Sequence, residues 1–169
     1  LETGKIRPVN PPAEKPEFFA KFDAAEINFP QLGKIKLGYL RELALNKPGK
    51  ENERLERQKK LFIYHYGAGI DAGHEKLFGF QAIISLLDKL GVKGILYMGP
   101  YNYYSALNYA GDDFAINLNR NVQMVSSRLN HFANGTKTSI VNWAHSFPER
   151  LFFHNDLLTE HLNQNGRIL

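Results

Sequence analysis

Apolar positions recur in two rhythms along this chain, and the second half keeps them most regularly. From His74 onward Leu77, Phe80, Ile84, Leu87 and Leu90 fall three or four residues apart, which lines one face of an α-helix, and Gly91 ends the run. Lys93 to Met98, KGILYM, is short, apolar and closed by Gly99-Pro100, as expected of a strand. The loop Tyr101-Asn102-Tyr103-Tyr104 and a short helix around Ser105 to Tyr109 come next. A second long helix is predicted over Asp113 to Phe132, with Phe114, Leu118, Val122, Val125, Leu129 and Phe132 on one side and Asn134-Gly135 as its stop. The β-branched run Thr138 to Trp143 predicts a further strand, and a closing helix is expected near His161. Helix, strand, helix, strand, helix predicts right-handed crossovers on a parallel sheet.

The first half is less regular. Four of the eight prolines (Pro8, Pro11, Pro12, Pro16) fall within the first sixteen residues, where each restricts its neighbour to extended geometry; residues 1–16 are expected to be an arm or linker, and 17–169 one α/β domain. Phe18, Phe22 and Ala25 predict a short amphipathic helix within residues 17–29. Leu37 to Leu45 looks helical and is stopped by Lys47-Pro48-Gly49. ENERLERQKK then predicts a charged, solvated helix. Leu61 to Tyr66, LFIYHY, is strand-like and precedes Gly67, Gly69 and Gly73, which invites comparison with a dinucleotide-binding turn. That turn needs two residues between its second and third glycines; here there are three, and no suitable acid follows. No P-loop and no Gly-x-Ser-x-Gly elbow occurs.

Composition narrows the chemistry. With 169 residues and 43% hydrophobic content the chain can bury a sizeable core. The absence of cysteine removes disulfides, thiolate nucleophiles and cysteine-ligated zinc. A formal charge of +4, spread along the chain, makes no demand for nucleic acid. No apolar run approaches the roughly 18 residues of a membrane span, and no signal-peptide pattern opens the sequence.

In parallel sheets ligands sit at the carboxyl ends of the strands, so the loops after Met98 and after Trp143 are the places to look. Tyr101, Asn102 and Tyr103 in the first loop are candidate substrate-binding residues, with the tyrosines suited to stacking on sugar rings; packing over the sheet edge is the plainer explanation. The second loop leads to Asp156 and His161, a carboxylate and an imidazole that can serve as orienter and base of a catalytic triad. The plainer explanation is a polar helix start, with Thr159 or Asn163 as cap and Asp156 and Glu160 favouring the positive end of the dipole. His145, His154 and His161 match no dedicated metal-ligand spacing, so neither metal nor cofactor is expected.

The order of elements, the Tyr-Met-Gly-Pro-Tyr-Asn turn after a strand, and the ending NDLLTEHLNQNGRIL together resemble the C-terminal half of SGNH-type hydrolases over about residues 75–169. The cell-envelope branch is nearest, with its DltD-like teichoic-acid D-alanylation proteins and the alginate O-acetylation proteins. The resemblance implies a flavodoxin-like three-layer α/β sandwich with a mainly parallel sheet, incomplete at the N-terminus of this chain. It implies an esterase or acyltransferase moving D-alanyl or acetyl groups through a serine ester, with His161 as base. The family's orienting aspartate usually stands three residues before the histidine; here Leu158 holds that position and Asp156 lies five before. No Gly-Asp-Ser block occurs, so the nucleophile would lie upstream in a longer protein, or the domain binds without catalysing. The implied partners are a hydroxyl-bearing polymer or glycan and a membrane acyl-transfer protein, not nucleic acid. The implied location is extracytoplasmic, at the cell envelope. The alternative is a non-catalytic glycan- or protein-binding module on the same fold.

Overall fold

The computed structural model describes residues 16–30, 32–45, 51–152 and 162–168, a mixed α/β chain with two small sheets. Its elements in order are α1 (Pro16–Ala24), β1 (Glu26–Phe29), β2 (Gly33–Lys36), α2 (Leu37–Leu45), α3 (Glu51–Gly67), α4 (Glu75–Lys89), β3 (Gly94–Met98), α5 (Tyr103–Ala110), α6 (Asp112–Ala133), β4 (Thr138–Asn142), a single 3-10 turn (Glu149–Leu151) and α7 (Gln164–Arg167).

The two strands expected to be neighbours are paired and parallel, in a register running from Gly94 opposite Thr138 to Met98 opposite Asn142. Parallel neighbours need a long crossover, which α5 and α6 supply. Asp112 and Asp113 stand at the positive end of the α6 dipole, and Phe114, Leu118, Val122 and Leu129 form its buried stripe. Past its end Gly135 takes φ 76, a left-handed conformation that costs glycine nothing, and the chain returns into β4. At the start of the sheet Gly94 leaves no room for a side chain, since a Cβ there would lie 2.7 Å from Leu87 Cδ1 of α4 and 3.0 Å from Thr138 Oγ1.

The core lies in the first half, where Ile27 and Phe29 of β1, Leu37 and Leu40 of α2, and Ile63 of α3 pack with Phe114 and Leu118 of α6. Two expectations are corrected there. The helix expected over residues 17–29 ends at Ala24, and the chain then forms an antiparallel hairpin of β1 and β2 with Ile27 opposite Ile35. LFIYHY is not a strand but the last turns of α3. Phe62, Ile63 and Tyr64 are all buried because α2 lies against one side of that helix and α6 against another, so its apolar run has lost the period that marks an amphipathic helix. The closing helix is a single turn that starts at Gln164.

The glycine-containing segment after α3 is held by one side chain. Asn121, buried on α6, accepts from Ile70 N–H at 2.9 Å and donates to Ala68 C=O at 2.7 Å and Tyr66 C=O at 3.4 Å. These contacts satisfy backbone groups that leave the α3 hydrogen-bond pattern. Asn121→Ala would strand a buried donor and acceptor together, so urea unfolding followed by circular dichroism should show a loss of about 2–3 kcal/mol. A loss under about 0.5 kcal/mol would mean that water replaces the amide without cost.

Candidate functional site

Because β3 and β4 run the same way, their carboxyl ends open on one rim, and backbone hydrogen bonds hold the two rim loops together. Trp143 N–H donates to Met98 C=O at 3.1 Å, and Tyr101 N–H donates to Ala144 C=O at 2.9 Å. The Asn142 side chain accepts from Ala144 N–H at 3.0 Å, turning the chain sharply as β4 ends. The loop expected to carry substrate-binding residues is therefore fixed against the loop that follows β4.

Tyr101, Asn102 and Tyr103 all stand at this rim, in different roles. Asn102 is fully buried and forms the N-cap residue of α5, its carbonyl accepting from Ala106 N–H at 3.1 Å. Tyr101 is half-buried edge-on to Tyr66 with ring centroids 5.0 Å apart, and burial raises its phenol pKa above the ordinary 10. Tyr103 is also half-buried; its hydroxyl accepts from Asn119 Nδ2 at 3.1 Å, and its ring lies 4.6 Å from that of His145. Desolvation lowers the His145 pKa from its ordinary 6.5, although part of the residue remains in contact with water. Ser105, on the first turns of α5, donates to Glu149 Oε1 at 3.2 Å and so ties the helix to the 3-10 turn beyond the second loop.

Asp156 and His161 lie outside the described residues, as do His154, Leu158 and Thr159. The positions on either side are described. Phe152, buried, forms an antiparallel bridge with Leu162, and Asn163 N–H donates to Leu151 C=O at 2.8 Å. The Asn163 side chain donates to Arg150 C=O at 2.7 Å and to Phe152 C=O at 2.9 Å, while its oxygen accepts from Gly166 N–H at 3.1 Å. Asn163 is thus the cap of α7, one of the two caps expected, and a clamp on the preceding chain as well. A Cβ at Gly166 would lie 2.6 Å from Leu151 O, so only glycine allows this approach. The Asn-x-x-Gly ending owes its spacing to that junction.

Among the described residues no group of three His, Asp or Glu side chains could hold a metal ion. The partners Tyr66, Asn119, Ser105, His145 and Glu149 were not part of the expected site. Only the position of His145, three residues past the last β4 residue, gave a sequence signal for any of them. A cleft of about 300 Å³ lies away from these loops, between α1 and the start of α4, with Lys21, Phe22, Asp71 and His74 among its walls. No protein-family profile matches the chain, and no curated protein and no solved structure matches it.

Two outcomes follow from the geometry. The neutral His145 ring is favoured in the folded chain, so the stability it contributes is whole above 6.5 and is lost as pH falls from 6.5 toward the lower folded midpoint. An NMR titration should place that midpoint below 6.5, and Tyr103→Ala, which opens the ring to water, should move it back up. An unmoved midpoint would mean that Tyr103 does not desolvate the ring. Gly166→Ala should destabilise the chain by about 1–3 kcal/mol through the clash with Leu151 O, read as a lower urea midpoint at unchanged m-value.

Proposed function

We propose that this chain is an SGNH-like domain with a flavodoxin-like three-layer arrangement. It would belong to a protein that transfers or hydrolyses small acyl esters, D-alanyl or acetyl, on a hydroxyl-rich cell-envelope polymer. The observation that carries the reading is the junction of Phe152 with Leu162 under the Asn163 clamp. It gives the Leu-Asn-x-x-Gly part of the family-like ending a structural task, and it anchors the residue just after His161 beside a turn that Glu149 ties to the rim helix. A base needs such anchorage, because proton transfer demands a heavy-atom approach of about 2.6–3.2 Å.

The chemistry in this reading runs through a serine supplied from outside the 169 residues. His161 takes the serine proton as the oxygen attacks the acyl carbonyl, Asp156 holds the imidazole tautomer, and His161 returns the proton to the departing hydroxyl. The rim tyrosines would flank the polymer; a hydroxyl-bearing glycan is the substrate class that fits them, and a membrane acyl-transfer protein is the partner that the branch implies. The cell envelope, outside the cytoplasm, is the proposed location.

One observation favours the second reading, a module that binds glycan without catalysis. Tyr97 and Trp143 are exposed at 65% and 44%, and their rings lie 5.4 Å apart at 41°. Such a pair offers apolar faces to a pyranose ring.

The two readings separate on activity. The purified chain should show no turnover of a simple acetyl ester that a serine-directed inhibitor abolishes, since Ser85, Ser126 and Ser127 sit within helices, Ser139 lies in β4, Ser105 donates to Glu149, and Ser146 stands in the loop after β4 without a strand-to-helix elbow. In a longer protein that includes this chain and a nucleophilic serine, His161→Ala should lower acyl transfer by about three orders of magnitude or more with the melting temperature unchanged. Near-normal transfer by that folded variant would remove the catalytic assignment and leave the binding module.

A further inference from the structure

Helix α4 hides only a narrow face. Leu77 and Ile84 are buried, while on the opposite side Phe78, Ile83 and Leu86 stand 48–57% exposed, and Phe80 and the C-cap Leu90, both expected on the buried face, are exposed as well. Contiguous apolar area beyond a few hundred Å² is uncommon on a free surface and marks contact with another molecule. Gly79 sits in the middle of this helix with no atom within 4 Å of where its Cβ would be. A glycine inside a helix weakens it relative to alanine, and among the described residues nothing requires one at this position. The close approach of a second backbone would.

We infer that the outer face of α4 is a self-association surface, on which the α4 of a second copy of this chain packs antiparallel about a two-fold axis beside Ala82. The order of residues is self-complementary about that point. Glu75 and Lys89 each stand seven residues from Ala82, so each glutamate meets the lysine of the other copy. Phe78 and Leu86 each stand four away, so an aromatic ring meets an aliphatic side chain on both sides of the axis. Glu75 and Lys89 are exposed, and neither forms an ion pair with a described residue. Small residues at the centre let the two helices come close, the larger apolar side chains flank them, and opposite charges close the ends. An isologous interface requires this pattern, because one surface must fit itself. Antiparallel packing also sets each helix dipole against the other's opposite end.

Light scattering and sedimentation velocity on the purified 169-residue chain, from about 1 to 100 µM, test the inference. The expected species has twice the 19.3 kDa chain mass. Leu86→Glu should raise the dissociation constant by about a hundredfold or more, with circular dichroism unchanged because the side chain is already exposed. Glu75→Lys should weaken the dimer about tenfold by setting lysine against lysine twice, and adding Lys89→Glu in the same chain should restore it. That rescue distinguishes the antiparallel pairing from general stickiness. A monomer over the whole range overturns the inference. A dimer that survives Leu86→Glu, or is broken instead by Ile95→Lys on the sheet, also overturns it, as does failure of the double charge exchange to restore what Glu75→Lys weakened.

Discussion

Two strands that run in the same direction cannot be joined by a turn, and most of this structure follows from that constraint. The chain leaves β3 at one edge of the small sheet and must re-enter β4 at the other, which requires a helix that runs the height of the sheet. Helix α6 does this and, being 22 residues long, reaches beyond the sheet to serve as the post on which α3, α4, α5 and β1 rest. Its buried stripe unites elements that have no other reason to meet: Phe114 and Leu118 join the core of the first half, while Leu129 lies near the end that leads into β4. Asn121 serves the same post with polar atoms, closing the hydrogen-bond account of the chain after α3.

The rim inherits its order from the same constraint. Both loops leave at one edge, and two backbone hydrogen bonds between them, with the Asn142 amide contact inside the second, hold them before any side chain with chemistry is considered. Tyr101 and Tyr103 are then positioned from behind, by Tyr66 and Asn119, so that their rings are presented at little further cost in side-chain entropy. Asn163 does for the end of the chain what Asn121 does for its middle. One amide, able to donate twice and accept once, satisfies three backbone groups that no helix or sheet reaches.

What could be read from the residues alone divides along physical lines. Helices α4 and α6 were legible because their apolar residues recur at a helical period and glycine marks the ends, and strands β3 and β4 because each is a short apolar or β-branched run between such stops, although Phe80 and Leu90 of the expected α4 face are exposed. LFIYHY was misread because burial on more than one side erases the period. The β1–β2 hairpin was missed because four-residue strands with two buried positions carry too few positions to separate alternation from chance. The rim loops were legible from the strand ends, whereas Tyr66 beside Tyr101, Asn119 beneath Tyr103 and Glu149 against Ser105 are contacts of tertiary packing, with no trace in local spacing. The Asn-x-x-Gly spacing was visible as a pattern, but its cause, a side-chain clamp and a forbidden Cβ, needed the packing around Leu151.

A single residue, Gly111, ends α5 and begins α6, at φ 80, and a Cβ on it would press within 2.9 Å of Pro30 in the hairpin. Two residues along, Asp113 accepts from the Asn28 backbone at 3.0 Å, so the hairpin grips the joint on the α6 side too. The β1–β2 turn therefore acts as a stop behind an elbow whose forearm is the tyrosine-bearing helix. Loosening a hairpin remote from the rim in sequence would let that forearm swing, and the tyrosines would lose their aim before the sheet lost a hydrogen bond.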